Sequence, residues 1–159
     1  MVAYQGPVAQ AIQRFKYQKD FLLTASLAWL TEHHPWEEES FDFLVPVPLH
    51  LKRLRERGFN QAVLLARACR PLVSRQLRIG ALRRIRPTPP QIHRKPDERF
   101  KNVSGAFQVP RPREVTGKDI MLIDDVFTTG ATVNECARTL KKAGAGRVLV
   151  FTLARVLPA

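Results

Sequence analysis

With 159 residues, of which 45% are hydrophobic, the chain can bury a sizeable core and is expected to form one domain over residues 1–159. No run approaches the roughly 18 uninterrupted apolar residues of a membrane span, and the N-terminus lacks the basic-then-apolar order of a secretory signal, so the cytoplasm is the expected compartment. The net charge of +12 is concentrated: residues 50–101 hold fifteen Lys/Arg against three Asp/Glu, and the remainder holds eleven of each, which predicts an acidic partner for the middle third unless that surface is simply solvated.

Gly6 and Pro7 open an apolar pattern through Val8, Ile12 and Phe15, and a second runs through Leu22, Leu23, Leu27 and Leu30. Both have helical spacing and predict two helices within residues 7–34. Pro35 and the acidic Glu37, Glu38 and Glu39 break that pattern before residues 41–47, a short apolar run suited to a buried strand and ended by Pro46 and Pro48. Beyond the basic residues 52–57, Phe59, Val63, Ala66 and Val73, with Ala62 and Cys69, trace one helix face that starts near residues 58–60, Asn60 being the natural N-cap. Residues 81–85 predict a strand. Residues 86–104, with Pro87, Pro89, Pro90 and Pro96, read as a long mobile loop, a length usual in a compact domain only where the loop works, commonly as a lid. Residues 105–109 return as a strand. The last third reads as strand 120–123, helix 130–143 stopped by Gly144 and Gly146, and strand 148–153. Such a βαβ unit implies an α/β fold with a mainly parallel sheet flanked by helices. Cys69 and Cys136 lack a CxxC partner and read as buried free thiols.

The strand, loop and helix start within residues 119–143 carry the strongest chemical signal. In a parallel sheet ligands bind beyond the carboxyl ends of the strands, and Asp124 and Asp125 stand where the apolar run stops. Adjacent carboxylates repel and resist desolvation, so a site that keeps both offers them to hydroxyls or cations, and vicinal ribose hydroxyls are suitable donors. Thr128, Thr129, Gly130, Ala131 and Thr132 follow with hydroxyls and free N–H groups at a helix N-terminus, and Gly130 permits close backbone approach. Carboxylates for a diol, then an anion cradle at fixed distance, describe a ribose 5-phosphate. Neither GxxxxGK[ST] nor a GxGxxG after a strand is present.

The run Ile123-Asp124-Asp125-Val126-Phe127-Thr128-Thr129-Gly130-Ala131-Thr132 resembles the phosphoribosyl pyrophosphate (PRPP) motif of type I phosphoribosyltransferases. Val45-Pro46-Val47-Pro48-Leu49-His50, Arg53 and Arg57-Gly58-Phe59-Asn60-Gln61 are similar to the competence protein F branch, as are Gln91, Arg99, Asn102 and Ala106-Phe107. The similarity runs from Tyr4 and Gly6 through Lys16-Tyr17 to the last strand. Ile92 and His93 depart from it, standing where a Gly-Leu-like pair is expected. Members of that family commonly carry a cysteine-rich zinc ribbon before the Tyr-x-Gly segment, at which this sequence starts, so no protein-held metal follows from the resemblance.

The resemblance implies a type I phosphoribosyltransferase fold with a flexible lid, PRPP bound by residues 124–132, and Asp124 and Asp125 as the catalytic candidates. It further implies pyrophosphate contacts from a loop after an earlier strand and from the lid, places that His50, Arg53 and Arg57, and Arg94, Lys95, Arg99 and Lys101, fit by position. Mg²⁺ is expected on the substrate oxygens. His33 and His34, beside Glu32 and Glu37, point about 100° apart on a helix, which makes a shared metal awkward. Transfer of phosphoribosyl to an unidentified nucleophile is the leading expectation. A PRPP- or nucleotide-binding module without turnover and a nucleic-acid-associated factor in DNA uptake are its rivals, the last weakened by few aromatics among the basic residues. The oligomeric state is left open by the resemblance, although type I domains often form homodimers.

Overall fold

The computed structural model describes residues 2–18, 20, 22–30, 40–69, 76–88 and 96–157. In chain order these form strand β1 (Val2–Ala3), helices α1 (Gly6–Tyr17) and α2 (Leu23–Trp29), strand β2 (Phe43–Pro46), helices α3 (Leu51–Arg57) and α4 (Gln61–Ala68), and strands β3 (Gln76–Leu77) and β4 (Arg83–Arg84). Helix α5 (Pro96–Val103), strand β5 (Phe107–Gln108), strand β6 (Ile120–Phe127), helix α6 (Ala131–Lys142) and strand β7 (Val148–Arg155) complete the order.

Five strands build one parallel sheet in the order β1-β7-β6-β2-β3. Its central strands are apolar on successive positions because both faces are covered. Phe43, Val45, Ile120 and Leu122 face a core shared with Val133, Cys136 and Leu140 of α6. On the opposite face Leu44, Met121, Ile123 and Phe151 meet Ala66 of α4 and Cys69. Ile12 and Phe15 of α1, Leu27 of α2 and Leu65 of α4 close over Leu153 and Ala154 at the β7 end of the sheet.

Helix α6 ends in a Schellman arrangement: the Ala145 N–H donates to Leu140 O at 3.1 Å and the Gly144 N–H to Lys141 O at 3.0 Å, with Gly144 at φ 92°. At the amino edge of the sheet Asp119 accepts from Arg147 N and Nε, both at 2.7 Å, and Asp42 accepts from Asp119 N at 2.7 Å. These bonds hold both carboxyls below the usual carboxylate range, and they leave the carboxyl edge of the sheet as the open end.

The parallel sheet, the flanking helices, and the strands and helices of the last third match the expectations from sequence. Several boundaries differ. The stretch taken as a loop over residues 86–104 contains α5, which opens on Pro96, a residue whose preset φ suits a first helical turn. Residues 89–95 lie outside the described residues. The basic stretch after β2 is also helical, as α3. Residues 81–85 and 105–109 contribute only β4 and β5, which pair antiparallel with each other and stand apart from the main sheet. The helix over residues 59–73 is described only as α4, with 70–75 outside the described residues. The short strands β1 and β3 have no signature of their own and exist because a longer neighbour pairs with them. Finally, β6 runs through Phe127, so Asp124 and Asp125 lie within the strand and not beyond its end.

Candidate functional site

The carboxyl edge gathers the segment 124–133. Asp124, Val126, Phe127, Thr128, Gly130, Ala131, Thr132 and Val133 line one cleft there. Gly130 sits at φ +77°, and a Cβ placed on it would stand 2.6 Å from Phe127 Cζ, so the turn into α6 requires glycine. No side chain caps α6 beyond a long 3.5 Å contact from Ala131 N–H to Thr129 Oγ1, and among the described residues no hydrogen bond takes the N–H of Thr132 or Val133. A helix start with unsatisfied donors, flanked by three threonine hydroxyls, is suited to an anion of phosphate size.

Successive strand residues point to opposite faces, so Asp124 shares the face of Ile120 and Leu122, over α6, and Asp125 shares that of Met121 and Ile123. Both are buried, at 9% and 3% exposure. Asp124 Oδ1 accepts the Asp125 N–H and Asp125 Oδ1 accepts the Val126 N–H, each at 2.9 Å. Burial, and then the charge of Asp125, push the Asp124 pKa up to about 8. Thr152 is the register partner of Asp124 on β7, and its fully buried hydroxyl has no hydrogen-bond partner among the described residues. Cys136 lies beneath, its thiol pushed well up by burial and by Asp124.

The counter-charge comes from α1. Lys16 Nζ lies 2.5 Å from Asp125 Oδ2. Burial opposes the ammonium, yet Asp125, with Asp124 and Tyr4 behind it, holds the Lys16 pKa above its ordinary value. Sequence reasoning did not assign Lys16 a role, although a signal was present: it continues the i, i+4 row of Val8 and Ile12, and a cation on an apolar stripe calls for an anion opposite.

Of the pyrophosphate candidates, Arg57 is buried, donates to Gln61 Oε1 at 2.6 Å and lies over the Tyr17 ring at 5.5 Å, and burial lowers its pKa. The field of both aspartates reaches it, that of Asp125 more strongly. His50 caps α3 by accepting the Lys52 N–H on Nδ1 at 3.2 Å, and its backbone bridges to Arg84. Arg53 is half-buried on α3, and Lys101 is exposed on α5. Arg94 and Lys95 lie outside the described residues, as do the side chain of Arg99 and the His33/His34 pair. Asn60 is the N-cap of α4, accepting the Ala62 N–H at 2.9 Å and donating to Val47 O at 3.0 Å. The further residue that the fold adds is Arg84, packed over Phe107 at 5.3 Å and donating to Thr88 Oγ1, with Asp124 and Arg53 among the charges it feels.

No protein-family model matches the chain. It is 33% identical over 163 residues to competence protein F of Haemophilus influenzae, covering 96% of this chain and 69% of that protein. It is 33% identical to competence protein ComFC of Bacillus subtilis, covering 96% and 61%, and 41% identical over 120 residues to the DNA utilization protein YhgH of Escherichia coli K12, covering 73% and 50%. Among solved structures, glutamine PRPP amidotransferase of Bacillus subtilis aligns at a TM-score of 0.50 and 19% identity, over 84% of this chain and 26% of that one. The allosteric regulatory enzyme of purine biosynthesis aligns at 0.50 and 18%, over 82% and 25%. The chain has the type I phosphoribosyltransferase fold and belongs to the competence protein F family.

Proposed function

We propose that the chain binds PRPP as its magnesium complex and transfers the phosphoribosyl group to a nucleophile. The observation that carries this reading is the single cleft in which Asp124 and the uncapped start of α6 meet across Gly130. The α6 amides and the hydroxyls of Thr128, Thr129 and Thr132 take the 5-phosphate, and Asp124, with Asp125 adjacent, serves the ribose hydroxyls. Arg57, held by Gln61 and Tyr17, would with Arg53 and His50 supply the positive charge that a leaving pyrophosphate needs. Mg²⁺ would be carried on the phosphate oxygens of the substrate. That ion supplies charge neutralisation of the pyrophosphate. As the bond from the acceptor to the anomeric carbon forms, the bond to pyrophosphate breaks and its electron pair leaves with pyrophosphate. The protein's part is to orient the ribose and anchor both phosphate ends.

Calorimetry with PRPP and Mg²⁺ tests this reading. The intact chain is expected to bind, and Asp124→Asn to lose binding; no heat from the intact chain would remove PRPP as the ligand. Pyrophosphate release across a set of bases, amines and nucleotide fragments separates a transferase from a binding module. The same substitution has a stability signature of opposite sign. A carboxyl held near 8 in the folded chain, against 3.8 ordinarily, keeps its proton in the folded state while the unfolded chain has lost it, so wild-type stability falls as pH rises between those values. Asp124→Asn removes that penalty, and its melting temperature relative to wild type is expected to climb over the same pH window.

A second reading has its own observation: Lys52 and Arg55 are exposed on α3 with Arg53 beside them, in the most basic part of the chain, and the Escherichia coli relative is named for DNA utilization. Contact with a nucleic-acid backbone would then accompany the sugar-phosphate site. Affinity for single-stranded DNA should fall steeply with salt, and neutralising Lys52, Arg53 and Arg55 together should reduce the slope of log K against log salt by roughly 2, at about 0.7 per charge. An unchanged slope would take α3 out of the contact.

A further inference from the structure

Helix α1 belongs to the wall of the cleft and is more than packing. Its last turn makes two contacts with site charges in succession: Lys16 meets Asp125 and Tyr17 lies against the Arg57 guanidinium. Asp125 has Oδ1 on the Val126 N–H and Oδ2 in the ion pair with Lys16, and it is not among the residues that line the cleft. Asp124 is, with Oδ1 accepting the Asp125 N–H. A buried, charged Asp125 beside Asp124 repels a ligand that is itself polyanionic unless a cation stands against it.

We propose that Lys16 is a substrate-positioning residue: its ammonium cancels the charge of Asp125, so that an anionic sugar phosphate can bring its ring hydroxyls to Asp124. The identity of the ligand rests on the PRPP reading above; the charge arrangement does not. Tyr4 after β1, Arg57 on α3, Arg84 on β4 and Cys136 on α6 are the other titratable groups that sense the Lys16–Asp125–Asp124 array. Of these Lys16 alone is seated against Asp125 in an ion pair among the described residues. A pair kept only for stability would not need its charges, because apolar replacements of buried ion pairs are often neutral or stabilising.

Lys16→Gln tests the proposal, since it keeps a donor for Asp125 and removes the charge, with Lys16→Arg as the charge-retaining partner. Titrated with PRPP and Mg²⁺ across a pH series, Lys16→Gln is expected to bind roughly tenfold or more weakly. The midpoint of its affinity-against-pH profile is expected at higher pH, because both carboxyls lose their counter-charge. Lys16→Arg should keep the wild-type midpoint. A loss of affinity with no movement of the midpoint would overturn the proposal and assign Lys16 to packing. Carboxyl titration of ¹³C-aspartate-labelled, ligand-free chain reads the same coupling without PRPP: the Asp124 midpoint should rise in Lys16→Gln, and an unmoved midpoint overturns the proposal whatever the ligand. Failure of the intact chain to bind PRPP alongside a raised midpoint would support the charge arrangement and remove PRPP alone.

Discussion

Phe15→Ala is expected to lower the unfolding free energy by about 3–5 kcal/mol, the range for truncating a buried phenylalanine. Phe15 is completely buried, and its ring lies 5.5 Å from that of Phe59 at 43°. It packs with Ile12, Leu27, Leu65, Leu153 and Ala154, so the cavity opens where α1, α2 and α4 converge on the end of the sheet. In a chain of this length the loss corresponds to a fall in melting temperature of roughly 6–20 °C. Because Phe15 immediately precedes Lys16, the same change should loosen the seat of the ammonium, and PRPP affinity should fall under conditions where the variant is still folded. Thermal unfolding and calorimetry below the transition check the two parts. A variant that unfolds at the wild-type temperature would mean that α1 is not held by this cluster.

Gly130→Ala is expected to weaken PRPP binding by roughly a hundredfold or more, an energetic loss near 2.7 kcal/mol. Two effects combine. A side chain at φ +77° costs about 1–2 kcal/mol because Cβ crowds the backbone, and here it also meets Phe127 Cζ at 2.6 Å, displacing the ring that lines the cleft. The start of α6 then moves away from the geometry in which its amides converge. Gly117→Ala is the matched control: it adopts a similar φ of +69° with nothing within 4 Å of the added Cβ. It should cost similar stability and leave binding untouched. Equal losses of binding in both variants would show that the effect of Gly130 is general destabilisation.

The strongly periodic parts of the chain were legible without coordinates. The βαβ unit of the last third, its glycine stop and the parallel sheet follow from apolar period and turn chemistry, which depend on near neighbours in sequence. Asn60 as an N-cap is another such local rule. The misjudged parts share a cause. The prolines of residues 86–104 suggested an unbroken loop, yet Pro96 is compatible with a first helical turn, and the apolar Val103 finds its burial only once α5 lies against α6. Two-residue strands such as β1 and β3 have too few positions to show a period and are created by the partner strand.

By itself the sequence determined which chemical groups gather along residues 124–132, because Asp124, Thr128, Gly130 and Thr132 are close neighbours in the chain and the local strand-turn-helix geometry brings them to one cleft. Tertiary structure alone decided how those groups are charged. The packing of α1 against the sheet sets Lys16 on Asp125, whose charge acts on Asp124. The low-dielectric surroundings then push the Asp124 proton affinity up. Burial and ion pairing are properties of elements far apart in the chain, and no local pattern specifies them.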